Sequence, residues 1–322
     1  MSELEIATIK PLAVKGVRMV WPRLVAYRLD RLAVLEGRDL LMSFSLDDDK
    51  PRVREVRALG YKPQSLRLSP SRRFLLIGNE TGNWYEVRDI DKLEPVARAS
   101  GPERFACAFA SLSGDVLVSA PRAGVLEVLS LPDGALLSRV RRETGRTFVA
   151  AALVAVGEGD KLALVGHPFM SPYWSHVVVA TSLLQAGGAP MNDLLDRAAA
   201  ARGCSDLAVG PSGWDDVLVY EGNSGPPPTG DRRALTVRRL AGGEVLEQIP
   251  CERVLSVKNP IIGTSLAVAV GFEEGVQILP RKDLLAEPLF LNARALSFDP
   301  DAGRLARVTQ ECQVELIELA RV

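Results

Sequence analysis

Residues 65–91 read SLRLSPSRRFLLIGNETGNWYEVRDID. A short alternating segment is followed by a Pro/Ser turn, an unbroken apolar run, a Gly/Asn turn and a second alternating segment. Alternation is the mark of a half-buried strand, and a short apolar run between turn signals is that of a strand buried on both sides. The same phrase returns as AFASLSGDVLVSAPRAGVLEVLSLPDG from Ala108 to Gly134, and as ALSFDPDAGRLARVTQECQVELIELA from Ala295 to Ala320. Its first turn is read near Pro22, Pro70, Leu112, Gly157, Pro211, Pro260 and Pro300, in steps of 48, 42, 45, 54, 49 and 40 residues.

A strand-rich unit repeating every 40–45 residues has the period of a propeller blade. Seven copies account for nearly the whole chain, so the expectation is all-β: a single domain over residues 1–322, a seven-bladed β-propeller. The phrase Ser69-Pro70-Ser71-Arg72-Arg73-Phe74-Leu75-Leu76, followed by Gly82-Asn83-Trp84-Tyr85-Glu86-Val87-Arg88-Asp89, resembles the WD-repeat-like β-propeller family. It lacks that family's Gly-His and its closing Trp-Asp; Trp214-Asp215 falls in a first turn instead. The resemblance implies a fold and no particular subfamily.

The last copy supplies three strands, Ala293–Phe298, Arg304–Thr309 and Gln313–Leu319, while Leu4–Lys10 alternates and belongs to no copy. The N-terminal strand is therefore expected to close the last blade, which removes an open sheet edge. Three insertions interrupt the repeat, at 167–176, 186–203 and 221–231. Within the second, Met191–Arg202 (MNDLLDRAAAAR) reads as one short helix between blades four and five, from its alanines, Asn192 or Asp193 near the start and Gly203 past the end.

Composition narrows the function. The chain has 322 residues, 39 Lys+Arg against 40 Asp+Glu and a net charge of −1, so nucleic acid is not an expected partner. Only His167 and His176 are available for His chemistry, and Cys107, Cys204, Cys251 and Cys312 stand singly, which leaves no metal motif and no cofactor to expect. These cysteines suit reduced, buried thiols. The N-terminus is acidic with no apolar core of a leader, and no apolar run is long enough to span a bilayer. A cytoplasmic location without membrane contact follows as the expectation. The Ala-, Arg-, Leu- and Val-rich composition with few Lys fits a GC-rich bacterial genome.

No nucleophile elbow or phosphate-binding loop occurs, and the innermost strands SLRL, AFAS, DLAV and ALSF are mostly apolar or small. An enzyme is not expected. The departures from the repeat are the places for function, because loops on a rigid scaffold carry it. His167, Phe169, Tyr173, Trp174 and His176 gather aromatic and polar groups in the first insertion. Arg141, Arg142, Arg146, Arg197 and Arg202 add positive charge in nearby connections. The expected function is a non-catalytic protein-interaction scaffold, a subunit or adaptor of a bacterial multi-protein complex, which meets another protein with an acidic surface on the insertion-bearing face. Two other classes fit the same residues: a small-molecule or nucleotide sensor, and a channel-centred hydrolase.

Overall fold

The computed structural model describes residues 4–141 apart from 14–16, 29, 48–49, 80, 104 and 123, then the strands between 148 and 280, and residues 289–299 and 303–321. After β1 (Leu4–Pro11), the first sheet is β2 (Pro22–Arg28), β3 (Arg31–Glu36), β4 (Leu40–Asp47) and β5 (Lys50–Ala58). The second is β6 (Pro63–Leu68), β7 (Phe74–Asn79), β8 (Trp84–Asp89) and β9 (Pro95–Ser100). The third is β10 (Ala106–Ser111), β11 (Asp115–Arg122), β12 (Val125–Ser130) and β13 (Leu136–Arg141). The fourth is β14 (Phe148–Val156), β15 (Lys161–Pro168), β16 (Trp174–Ala180) and β17 (Ala199–Ala201). The fifth is β18 (Cys204–Val209), β19 (Asp216–Glu221), β20 (Ala234–Arg239) and β21 (Val245–Pro250). The sixth is β22 (Ile262–Gly263), β23 (Ala267–Phe272), β24 (Gly275–Pro280) and β25 (Leu289–Leu291). The last is β26 (Ala295–Phe298), β27 (Arg304–Val308) and β28 (Val314–Arg321), with β1 as its fourth strand. The strands pair antiparallel in every sheet but the second, and in the second β6 pairs antiparallel with β7.

The N-terminal strand thus sits where the alternation of Leu4–Lys10 put it. β1 pairs with β28 from Leu4↔Arg321 to Pro11↔Glu315. Below it, Leu12 N–H donates to the Val314 carbonyl at 2.8 Å.

Two compact units divide the chain: Met1–Glu80, Glu86–Pro95 and Leu255–Val322 form one, Thr81–Tyr85 and Val96–Val254 the other. In the first unit, apolar clusters fill the spaces between successive sheets. Ala33, Leu35 and Leu41 pack with Leu75, Ile77 and Ile90, joining the first and second sheets. Tyr27, Leu32 and Phe44 pack with Ala306, Val308 and Val314, joining the first to the last. Across that second junction Tyr27 N–H donates to Ser297 Oγ at 2.9 Å. In the second unit, Ala108, Val118 and Val128 of the third sheet pack with Leu153 and Leu162 of the fourth. Among the described residues the second strands are deeply covered: all six residues of β7 are buried, as are the first six of β11. The outer strands are not, and Leu136 and Leu137 of β13 stand 49% and 47% exposed.

The repeat persists in the hydrogen bonds of its turns. In the first turn Ser69 N–H reaches the Phe74 carbonyl at 2.9 Å, and Asp299 N–H reaches Arg304 likewise. In the turn after the third strand, Asp89 N–H donates to Glu94 and Leu93 N–H back to Asp89. The third sheet repeats the pair as Ser130 to Ala135 and Gly134 to Ser130.

Three sequence expectations need correction. Pro22 opens β2, and the first hairpin turns at Asp30 instead. A proline is tolerated as the first residue of a strand, where its missing N–H costs no ladder bond, so it mimicked a turn. The hairpin read at Pro260, itself outside the described residues, turns between Gly263 and Ala267. The expected helix Met191–Arg202 does not hold at its end: Ala199–Ala201 form β17, paired Trp174↔Ala201 to His176↔Ala199. Alanine's helix preference is a weak prior, and the unpaired edge of β16 offers backbone partners that override it. The rest of that expected helix lies outside the described residues.

Candidate partner-binding surface

The fourth sheet carries the described part of the site anticipated from sequence. His167 belongs to β15 and pairs with Val149. Trp174 and His176 belong to β16, where His176 pairs with Val165. Paired residues share a face, and so do residues two apart on a strand. His167, Trp174 and His176 therefore hold register positions on one face. The expected insertion 167–176 narrows to the connection 169–173, because its two flanks continue the hairpin ladder. Phe169 and Tyr173 fall in that connection, outside the described residues.

Register also places four strand termini at one end of this sheet. Phe148 pairs with Pro168, Gly166 with Ser175 and Trp174 with Ala201. The chain enters β14 there from Arg141, the exposed last residue of β13, and leaves β17 there toward β18. Arg142 and Arg146 belong to the incoming connection and Arg202 to the outgoing one. All three, with Arg197, lie outside the described residues, as do most of 186–203 and the insertion 221–231 beyond Glu221, which ends β19. Topology thus brings the connections holding both groups of expected residues to one sheet end.

Two other arginines of the outer strands already have partners. Arg139 Nη2 lies 2.7 Å from Glu127 Oε1 across β12 and β13. The Arg98 guanidinium stacks 4.3 Å over the Trp84 ring, a cation–π contact. Beside it Tyr85 donates its hydroxyl to the Phe105 carbonyl at 3.1 Å and meets the Phe105 ring edge-on at 5.2 Å. Among the described residues, no cluster of three or more His, Cys, Asp or Glu is placed to hold a metal ion. Neither Cys107, which is buried, nor Cys312 is in a disulfide. No helix among the described residues is long and apolar enough to cross a membrane.

Two features went unread in the sequence. One is a buried polar network on β8. Arg88 is ion-paired with Glu86 and donates from Nη1 to the Leu93 carbonyl at 2.6 Å. Tyr61 adds its hydroxyl to Glu86 Oε1 at 2.9 Å. Burial, then the Glu86 charge and its hydrogen bond, push the Tyr61 phenol well above its ordinary range. Alternation in NWYEVRDI could have suggested a buried Arg–Glu pair two residues apart on one face.

The other is the segment before β2. Val20 and Trp21 are 67% and 60% exposed, although Val17 and Met19 beside them pack against the core. Their backbone is fixed: both N–H groups donate to Glu36 Oε1, at 2.8 and 2.5 Å, and the Trp21 carbonyl accepts from Gly37 N–H at 2.9 Å. Gly37 has φ +59°, a conformation that favours glycine.

No family model matches the sequence, and no curated protein matches it. Solved structures do. A chain of the hydrazine synthase of Kuenenia stuttgartiensis is similar over 96% of this chain and 98% of its own, with a TM-score of 0.61 and 12% identity. BamB from Moraxella catarrhalis is similar over 92% of this chain and 85% of its own, with a TM-score of 0.55 and 14% identity. At such identities the likeness speaks to fold alone, and with the four-stranded antiparallel sheets it shows that this all-β chain has a β-propeller-like fold.

Proposed function

We propose that the chain is a seven-bladed propeller that serves as a non-catalytic, cytoplasmic interaction scaffold, a subunit or adaptor of a bacterial multi-protein complex. Its partner is a protein with an acidic surface, met at the end of the fourth sheet. The observation that carries this reading is the register there. One sheet end gathers His167, Trp174 and the connections containing Phe169, Tyr173, Arg142, Arg146 and Arg202. Aromatic and Arg side chains are the residue types that dominate interface energetics, and a sheet fixes their positions at low entropic cost. Likeness to propeller proteins, BamB among them, supports the scaffold half of the proposal.

Capture from a native lysate tests it. The tagged chain should retain one stoichiometric partner. That partner should be lost when residues 169–173 become a Gly-Ser linker, or when Arg142 and Arg146 are changed to Glu. The exchange stops at 173 because Trp174 begins β16. Retention of the partner by both variants, or turnover of a substrate by the partner-free chain, overturns the reading.

A further inference from the structure

We infer that Val20 and Trp21 form a docking anchor for an acidic peptide segment carrying a bulky apolar side chain. The inference rests on the interaction reading above but concerns a different sheet and different residues.

The first argument is the contrast within one extended stretch. Val17 and Met19 turn inward onto the core cluster of the first and last sheets, whereas Arg18 and Val20 alternate outward and Trp21 follows them. The protein buries apolar side chains in this same segment and yet leaves its largest one 60% exposed. Leaving a Trp and a Val in water forfeits burial energy that the neighbouring side chains obtain.

The second argument is rigidity. Glu36 receives both backbone N–H groups, Gly37 donates to the Trp21 carbonyl, and Pro22 fixes the backbone dihedral just after. A side chain on an already immobile backbone loses little further entropy on binding, which is the condition for an anchor.

The third is charge. Arg18 and Arg38 are exposed, and no described carboxylate forms an ion pair with either. Arg38 follows Gly37 in the turn that holds Trp21. Arg23 is drawn to the same turn, its Nη1 donating to the Gly37 carbonyl at 3.3 Å. Glu36 Oε1 is taken up by the two backbone donors. An exposed Trp on a segment that also carries exposed Arg18, and next to a turn that carries exposed Arg38, is complementary to a partner that is both acidic and apolar. Two apolar side chains on a fixed turn are too small a face for an anionic bilayer, which asks for a continuous amphipathic surface.

Phage-displayed random peptides of about a dozen residues, selected on the full chain and counter-selected on Trp21→Ala, test the inference. The enriched peptides should be acidic and carry Phe, Trp, Leu or Met. The best of them, labelled and followed by fluorescence anisotropy, should bind Trp21→Ala about tenfold or more weakly, the size of a hot-spot truncation. Trp21→Phe should recover most of that loss. The Arg18→Glu, Arg38→Glu double variant should bind weakly and lose the salt dependence of the wild type. Both sets of variants should melt with the parent, since the side chains are exposed, and the charge pair keeps the test valid if Trp21→Ala misfolds. No enrichment, enrichment indifferent to Trp21, or enrichment of basic peptides overturns the inference. So does Trp21-dependent self-association in sedimentation, or Trp21-dependent binding to phosphatidylcholine vesicles containing phosphatidylserine, in place of peptide binding. Lysate capture with the 169–173 exchange reports on the fourth sheet alone, so each idea can fail without the other.

Discussion

The turns at Asp89–Glu94 and Ser130–Ala135 occupy the same place in successive sheets and make the same two backbone hydrogen bonds, yet they share almost no letters. Each needs one residue in the left-handed region. The third sheet supplies Gly134, at φ +67°; the second supplies Leu93, at φ +53°. A leucine there costs backbone energy that a glycine avoids. Leu93 is fully buried among Ala33, Leu41, Leu75 and Ile90, so its burial offsets that cost, and Arg88 grips its carbonyl. What repeats in this fold is the path of the backbone. The side chains that stabilise each copy were chosen separately.

Variants can break the comparison, beginning with the largest effect. Arg88→Met should destabilise the protein by about 3–5 kcal/mol, since it leaves the Glu86 carboxylate buried without its cation and releases the Leu93 carbonyl; urea unfolding would measure it. Leu93→Gly pits the two solutions against each other. It relieves the left-handed strain, by about 1 kcal/mol, and forfeits a fully buried side chain worth more, so a net loss of about 2 kcal/mol is expected. A Leu93→Gly variant as stable as the parent would show that the strain governs this turn.

The reciprocal change is gentler. Gly134→Ala places a Cβ at positive φ and 3.3 Å from the Ala97 Cβ, and should cost about 1 kcal/mol. The smallest effect belongs to Tyr61→Phe, which removes one hydrogen bond to Glu86 and should cost about 1 kcal/mol or less near neutral pH. Its pH dependence is the sharper readout. The folded protein holds Tyr61 neutral, with its pKa raised above the unfolded value of about 10. The stability tied to that neutral phenol is present below about pH 10 and is lost as pH rises beyond it, because the unfolded chain then releases the proton more readily. The gap between parent and Tyr61→Phe should therefore narrow in alkaline urea titrations. A constant gap would show that burial of the phenol does not control the network.

The sequence was most readable where side chains face only protein. FLLIG, DVLVSA, KLALVG and DVLVYE fall in β7, β11, β15 and β19, and in β7 and β11 the strand packed on both faces is apolar nearly throughout. The place of Leu4–Lys10 was legible because it belonged to no copy while the last copy lacked a fourth strand; its alternation is met only in part, with Ile6 half-buried and Ile9 45% exposed. Ala199–Ala201 was not legible, since three alanines carry no pattern and their state is set by the vacant edge of β16. Pro22 misled because strand starts and turns both accept proline. At the candidate surface, His167, Trp174 and His176 were found by composition, but their shared face follows from a register that only the paired strands define. Trp21 left no signal at all. Its neighbours Val17 and Met19 have the same apolar character, and only tertiary packing separates the covered residues from the uncovered ones.

The pairing of β1 with β28 has a consequence for biosynthesis. A ribosome delivers Leu4–Pro11 roughly 300 residues before its partner Val314–Arg321, which at typical elongation speeds is about 15–60 s. Through that interval β1 lacks the strand it pairs with. Ile6, which ends packed in the cluster around Ile317 and Leu319, stays in the company of solvent or chaperones. The last sheet can be completed only after translation has reached Arg321, so one of its edges waits on a strand made about 300 residues after the other.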